Sequence, residues 1–436
     1  MNRQNWKKKI SRLWFVALLV AIIGCQAVGG FDVNKALVES VVAKSMEGEG
    51  EFSLNLVVDE KTSVTPEKLA MLRLFEDTKV KFNSIKIENS TRLSVKGSVL
   101  IAKYNIPFEA ALTAEQLVLK MDGGKKPIVF DLKGDSSSDS MTPFFTELQT
   151  KMSDVELTRS IVSYFIKQLP NPSKLNVETV SDLIHGETVS LHKLHSEITG
   201  RELLPITKAF VKNVLKDDQA LKELIGQLYD ALYPLIGAEL DKAIASIPDD
   251  DEDYEVDEED KSVITSPNNG PLDKVKTTMQ PILTGIKAVL DDREIAIEVI
   301  HTEVKQLFIF ALVSLESNFE KSQQALQAID NEHNYFNMDL YFDNSFKLRK
   351  SNTTLMIAPQ LQDNGGVSAV RITMSMENWN VNGDVKADSI PTDGGSLTFD
   401  KKMKPTDLLL NFDPESATYQ LLKKDLGVGK VSFPLY

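Results

Sequence analysis

One cysteine in 436 residues rules out any internal disulfide, so this chain is held together by packing alone. Long apolar runs are equally scarce. After Gly24 the longest is Leu307 to Val313, far below the about 20 residues a spanning helix needs. No Gly-x-Ser-x-Gly elbow, Gly-x-x-x-x-Gly-Lys-Ser/Thr phosphate loop, Gly-x-Gly-x-x-Gly fingerprint or His-Glu-x-x-His pair occurs. Nucleophile-elbow hydrolases, P-loop enzymes, dinucleotide enzymes and zinc proteases of those designs are therefore excluded. Basic residues are also in deficit, 49 against 63 acidic, for a net charge of −14. That balance disfavours nucleic acid and anionic membrane faces, which are bound through clustered Lys and Arg. The expectation is a non-enzymatic protein with no cofactor, no metal and no nucleic-acid partner.

What is present begins at the first residue. Five cations (Arg3, Lys7, Lys8, Lys9, Arg12) precede an apolar stretch from Leu13 to Ile23 that closes on Ile22-Ile23-Gly24-Cys25. A basic start, a short apolar run and a small residue before the cut are the parts of a secretory leader. Cleavage after Gly24 would leave Cys25 first, and the pattern resembles a bacterial lipobox, with Ile22 where Leu is usual. Cys25 is thus the expected lipid-attachment site, carrying a diacylglyceryl group that holds the chain to the extracytoplasmic face of the cell membrane. The alternatives are an uncleaved anchor, or an ordinary leader followed by a chance cysteine. Without the five cations of the leader, 44 basic residues face 63 acidic ones, a balance of −19.

Residues 26–46 read as a tether and a short helix, with Ala36, Leu37, Val41 and Val42 on one face. Period-two alternation follows in Phe52, Leu54, Leu56 and Val58. It recurs in Leu93, Val95, Val99 and Ile101 around Gly97, then in Ile106, Phe108, Ala110 and Leu112, and in Leu117, Leu119 and Met121. So many alternating strands predict an antiparallel sheet with one apolar and one wet face. A helix over 66–75 interrupts the first strands. Past a polar break at 133–140 the period becomes 3.6, with Phe144, Phe145, Leu148, Met152, Ile161, Phe165 and Leu169 predicting helix up to Pro170. Residues 185–198 read as strand through a turn at Gly186. Residues 203–215 and 219–247 read as helices, with Pro205 in a first turn and Pro234 ending or kinking the second.

Residues 249–260 carry ten acids in twelve positions, a density that predicts a disordered linker. Beyond it, Met279, Ile282, Leu283, Ile286 and Leu290 mark one helix and 305–329 another. Alternation then resumes in Phe336, Met338, Leu340 and Phe342, in Leu355 and Ile357, and in Ile372, Met374 and Met376; 414–425 reads as a last helix. The expected organisation is a leader (1–24), a lipidated cysteine and tether (25–46), and sheet plus helices (47–248). An acidic linker (249–269) and helices plus sheet (270–436) complete it. Either the halves are two copies of one plan in opposite order, or one sheet carries a helical insert.

Few residues could carry chemistry. His192 and His195 are three apart, which on a strand puts them on opposite faces. Asp249, Asp251, Asp253, Glu255, Asp257 and Asp260 fall at EF-hand spacings, but the turn position that needs Gly holds Tyr254. Neither predicts a metal site. The apolar sheet face is the remaining signal: either helices seal it, or it curves around a guest. Met121, Met279, Met338, Met374 and Met376 suit a pliable lining as well as a core.

Two resemblances bear on these choices. The segments Gly24 to Leu37, Tyr335 to Asp343, Glu377 to Gly383 and Phe412 to Leu422 are similar to the body of Gram-positive surface lipoproteins. Those proteins are labelled by a C-terminal copper amine oxidase N-terminal-like domain. This chain reaches Tyr436 where that domain would start, so the label implies no copper, quinone or oxidase chemistry here. The arrangement also resembles the LolA-like lipoprotein-carrier fold, in which a curved antiparallel sheet wraps helices around a lipid-accepting cavity. The implied fold class is α+β, with one or two curved antiparallel half-barrels packed on helices and a helical middle region. The implied function is a membrane-anchored lipoprotein binding an apolar, lipid-like ligand or an envelope partner. Its rivals are a structural lipoprotein with a filled core and an extracytoplasmic hydrolase.

Overall fold

A computed structural model describes residues 29–59, 64–132, 147, 151, 154–245, 271–316, 330–358, 366–399 and 403–428. Cys25 and the acidic run 249–260 lie outside the described residues.

Strand β1 (Met46–Val58) is hydrogen-bonded along both edges, to β2 (Asp77–Asn89) and to β11 (Val367–Trp379). From β2 the chain meanders through β3 (Arg92–Ile101), β4 (Tyr104–Leu112), β5 (Gln116–Met121) and β6 (Ile128–Asp131). The two-residue β12 (Leu397–Thr398) runs parallel to β6 at that edge. From β11 the sheet continues through β10 (Leu348–Ile357), β9 (Tyr335–Phe342), β8 (Glu187–Thr199) and β7 (Lys174–Ile184). These twelve strands form one open sheet, antiparallel apart from β6–β12. The protein is α+β. Strands from before and after the acidic run share that sheet, so the arrangement is one sheet with a helical insert, not two copies of one plan.

The chain divides into two compact units. The first is drawn from Met1–Asp139, Ile161–Val214 and Phe310–Tyr436 and contains the sheet; the second, Ser140–Ser160 and Leu215–Ile309, is helical. In the first unit, helix α1 (Val33–Val41) is capped by Asp32, whose carboxylate accepts from the Lys35 N–H at 3.0 Å. It buries Val33, Ala36, Leu37 and Val38, with Val42 buried just beyond its end, so the expected face holds except at Val41, which is exposed. Helix α2 (Pro66–Leu74) starts as its sequence dictates, with Thr65 as cap and Pro66 in the first turn. Helices α3 (Val155–Gln168) and α4 (Gly200–Lys216) send Ile166, Leu203 and Ile206 into the same core as α1. Pro205 is the sixth residue of α4, deeper than the first turn expected for it.

The second unit holds α5 (Asp218–Ala245), α6 (Pro271–Asp291) and most of α7 (Arg293–Glu316). Helix α5 continues through Pro234 to Ala245, so of the two expected outcomes, an end or a kink, the proline does not end it. Bidentate Arg293–Asp230 bonds (2.7 and 2.8 Å) join α7 to α5, and Tyr233 donates to Asp291 at the end of α6. Ile282 and Ile286, expected on a packed stripe, are exposed.

Two cores lie on the sheet's apolar face, one towards each end. The larger joins α1, α3 and α4 to Leu194, Ile198, Phe336, Met338, Leu340 and Phe342 of β8 and β9. The smaller packs Leu421 against Tyr104 and Ile106 of β4, beneath helix α8 (Ala417–Gln420) and the π-turn Leu421–Asp425. The Tyr104 hydroxyl donates to Asp425, and the bond together with burial pushes its pKa up to about 12.

A strap carries the chain from β11 to β12. Asn380 and Asn382, at φ 49° and 61°, turn it out of β11, and Val385 is buried. Asp388 then pairs with Lys86 of β2 at 2.8 Å and Lys96 of β3 at 3.0 Å. Hydrogen bonds from these ammonium groups hold its carboxyl below the ordinary carboxylate range. Because the folded-state pKa is depressed, this contribution is present above the unfolded value and lost as pH falls through the folded one. Asp388→Asn should therefore lower stability at neutral pH by about 1 kcal/mol and flatten the acid limb. Urea midpoints of both proteins between about pH 3 and 7 check this; parallel curves would refute it.

Candidate ligand-binding face

Strand pairing sets residues in rows across the apolar face. One row reads Met338, Thr353, Met374, Phe52, Val80, Val99 and Ile106, from β9 to β4. The next reads Leu340, Ser351, Met376, Gly50, Phe82, Gly97, Phe108 and Met121. The ends of these rows are buried under helices: Met338 and Leu340 at one end, Ile106 at the other. Between them Phe52, Leu54, Val80, Phe82, Phe108, Ile372 and Met376 are only half-buried, and Met374 is 39% exposed. An apolar band therefore crosses the middle of the sheet between two sealed cores.

The band has a built-in bend. Asn83 is an extra residue in β2: Phe82 pairs with Gly50 and Gly97, whereas the next paired residues are Ile85 with Gly48 and Ser84 with Lys96. A β-bulge bends its strand and increases local twist. Glycines flank the bulged strand on both sides. A Cβ at Gly97 would stand 2.2 Å from the Lys81 carbonyl oxygen and 3.1 Å from the Phe108 ring. One at Gly50 would meet the Met376 sulfur at 2.4 Å. Phe108 and Met376 thus lie over backbone that has no side chain of its own, as large side chains do where a sheet is curved by glycine.

No charged side chain occurs in these rows; Thr353 and Ser351 are their polar members. The band can therefore hold alkyl chains or rings through burial and dispersion but offers no counter-ion for a charged group.

The opposite face is ion-paired over β7 to β11, whereas over β3 to β6 it buries Ser94, Ala111, Val118 and Val129. Lys193 lies 3.6 Å from both Glu178 and Asp339, and Lys350 lies 2.6 Å from Asp182, whose carboxyl it holds below the usual range. The β7–β8 hairpin turns through His185 and Gly186, at φ 47° and 83°, a pair of positive φ angles typical of tight hairpins. Its tip folds over this face and stacks His185 on Trp379 at 3.9 Å. A cleft of about 690 Å³ on the same side is lined by Glu51, Asn55, Arg73, Glu76, Asp77 and Lys79. Lys79 approaches Glu51 at 3.8 Å and Asn55 bonds Asp77, so these groups already pair with one another.

His192 and His195 separate as expected for a strand. His192 stacks on Phe31 at 4.5 Å beside the core, whereas His195 bonds Asp339 on the wet face at 2.7 Å. Among the described residues no group of three His, Cys, Asp or Glu is arranged to hold a metal ion. Of the methionines proposed as lining, Met374, Met376 and Met121 belong to the band or its margin, and Met338 belongs to the core. The bulge and its glycines were missed in the sequence, although Val80, Phe82, Ile85 and Ile87 do signal it, as period two with one extra residue.

No protein-family model, no curated protein and no solved structure matches the chain. What the molecule does is accordingly a matter of its own geometry and chemistry. Because Met374 is already exposed, Met374→Glu should shift the melting temperature by no more than a few degrees. It should also reduce the fluorescence of an apolar dye bound to the protein by several-fold. Undiminished dye binding would place the dye site elsewhere.

Proposed function

We propose that this protein is a membrane-anchored extracytoplasmic lipoprotein that binds an apolar, lipid-like ligand and performs no catalysis. The observation that carries the binding half is the half-covered apolar band between two sealed cores. Monomeric proteins seldom leave a contiguous apolar surface open, and such surfaces mark ligand or partner sites. A sheet bent at Asn83, Gly50 and Gly97 over helices is also what a LolA-like half-barrel requires, and we read the fold as that type. The anchoring half rests on the basic start, the short apolar run and the Ile22-Ile23-Gly24-Cys25 ending. Two acyl chains on Cys25, at about 0.8 kcal/mol per buried CH₂, would hold the protein stably at a bilayer. Among the described residues no helix is long and apolar enough to cross a membrane.

A second reading has its own support. Two clefts among the described residues, of about 690 and 320 Å³, are lined mainly by polar side chains. A lipoprotein that binds an envelope partner through its wet face would present such a surface.

Two measurements separate these ideas. Cys25→Ser should release the protein from membranes or leave its leader uncut; an unchanged, lipid-modified membrane protein would end the anchor reading. Native mass spectrometry of the detergent-extracted full chain should show a stoichiometric adduct beyond the lipid on Cys25, soluble in organic solvent. A clean mass that stays unchanged after incubation with membrane lipid would favour the partner-binding reading.

A further inference from the structure

The position of Phe31, the first buried residue among those described after the cysteine, limits which flank of the first unit can lie near a bilayer. Phe31 is 7% exposed and belongs to the larger core. Its ring stacks on His192 at 4.5 Å and packs against Phe346 at 5.3 Å and Phe342 at 5.9 Å. Lys35 of α1, one turn further on, caps the Phe346 ring at 4.5 Å. The chain is thus fixed to β8, β9 and the β9–β10 turn from Phe31 onward.

Six residue steps separate Cys25 from Phe31. Whatever its conformation, such a segment spans at most about 21 Å, at about 3.5 Å per residue. We infer that the flank formed by α1, the β7–β8–β9 edge and the 343–347 turn is the membrane-facing surface of the first unit, lying within one tether length of the lipid headgroups. The inference rests on lipidation of Cys25. The other edge lies at the far end of the sheet. Nine strand spacings separate β9 from β12, about 43 Å measured along the sheet at about 4.8 Å each. The first unit thus stands on its α1 flank, with the β6–β12 edge at the far end of the sheet from the tether.

Two positions test this. Ser345 is exposed in the turn that carries Phe346. Gly394 is exposed in the strap before β12, and a side chain there would meet nothing within 4 Å. In the lipidated protein the Cys25 sulfur is consumed as a thioether, so Ser345→Cys or Gly394→Cys supplies the only reactive thiol. Each variant of the full chain carries a bimane label and is reconstituted in phosphatidylcholine vesicles containing a headgroup-nitroxide lipid. Quenching should be several-fold stronger at 345 than at 394. Equal quenching, or stronger quenching at 394, in protein that floats with the vesicles would overturn the orientation and leave the anchor intact. Protein that does not float with the vesicles would remove the anchor and the orientation together.

Discussion

The pairing of β1 with β11 is the contact on which the rest depends. It runs from Glu47 opposite Trp379 to Val58 opposite Val367, joining segments more than 300 residues apart in the sequence. Without it there would be two smaller sheets, each with an open edge liable to pair with other chains. Trp379 strengthens the seam by donating its indole N–H to Glu47 at 2.9 Å, and Asn382 adds a backbone bond to Ser45 at 2.8 Å. Contacts of such sequence separation form late, because loop-closure entropy precedes any gain from pairing. The seam also carries the middle of the apolar band, since Phe52 and Met374 face each other across it.

The placement of helices then explains why the band is only partly covered. In the first unit α1, α3 and α4 gather over β8 and β9, while α8 and its π-turn serve β4. The stretch between is spanned by strands whose own large side chains, Phe108 and Met376, lie over glycine in the neighbouring strand. A bulge and two glycines at one level of three adjacent strands weaken the ladder locally, yet they let a wide sheet bend without losing its pairing. Apolar side chains left half-buried among the described residues, on a sheet that can curve around a guest, form a surface suited to a flexible hydrocarbon. The wet face differs in kind, because its charges are largely matched in pairs that leave little unsatisfied.

Much of this was legible in the sequence. Alternation marked β1, β3, β4, β5, β9 and β11, and the Thr65-Pro66 start marked α2, because local preference and tertiary role agree there. Strand β2 escaped because Asn83 breaks its alternation, and β7 because Glu178 and Asp182 on its wet face disguise it as a polar loop. Pro234 lies inside α5 and does not end it, and Tyr233 beside it bonds Asp291 of α6. The joining of the two halves could not be read at all, since register between distant strands leaves no local signature. Cys25 is the reverse case, a site read entirely from a motif and lying outside the described residues.

The central claim is that the band at the β1–β11 seam accepts an apolar guest. The most direct measurement is methyl NMR of the protein carrying ¹³C-methyl methionine, titrated with dodecane. Met374 and Met376 should shift in a saturable manner, while Met338 in the sealed core and Met71 on exposed α2 stay in place. If Met374 and Met376 remain unmoved at saturating dodecane, the band is not a binding site and its bend serves only the architecture of the sheet.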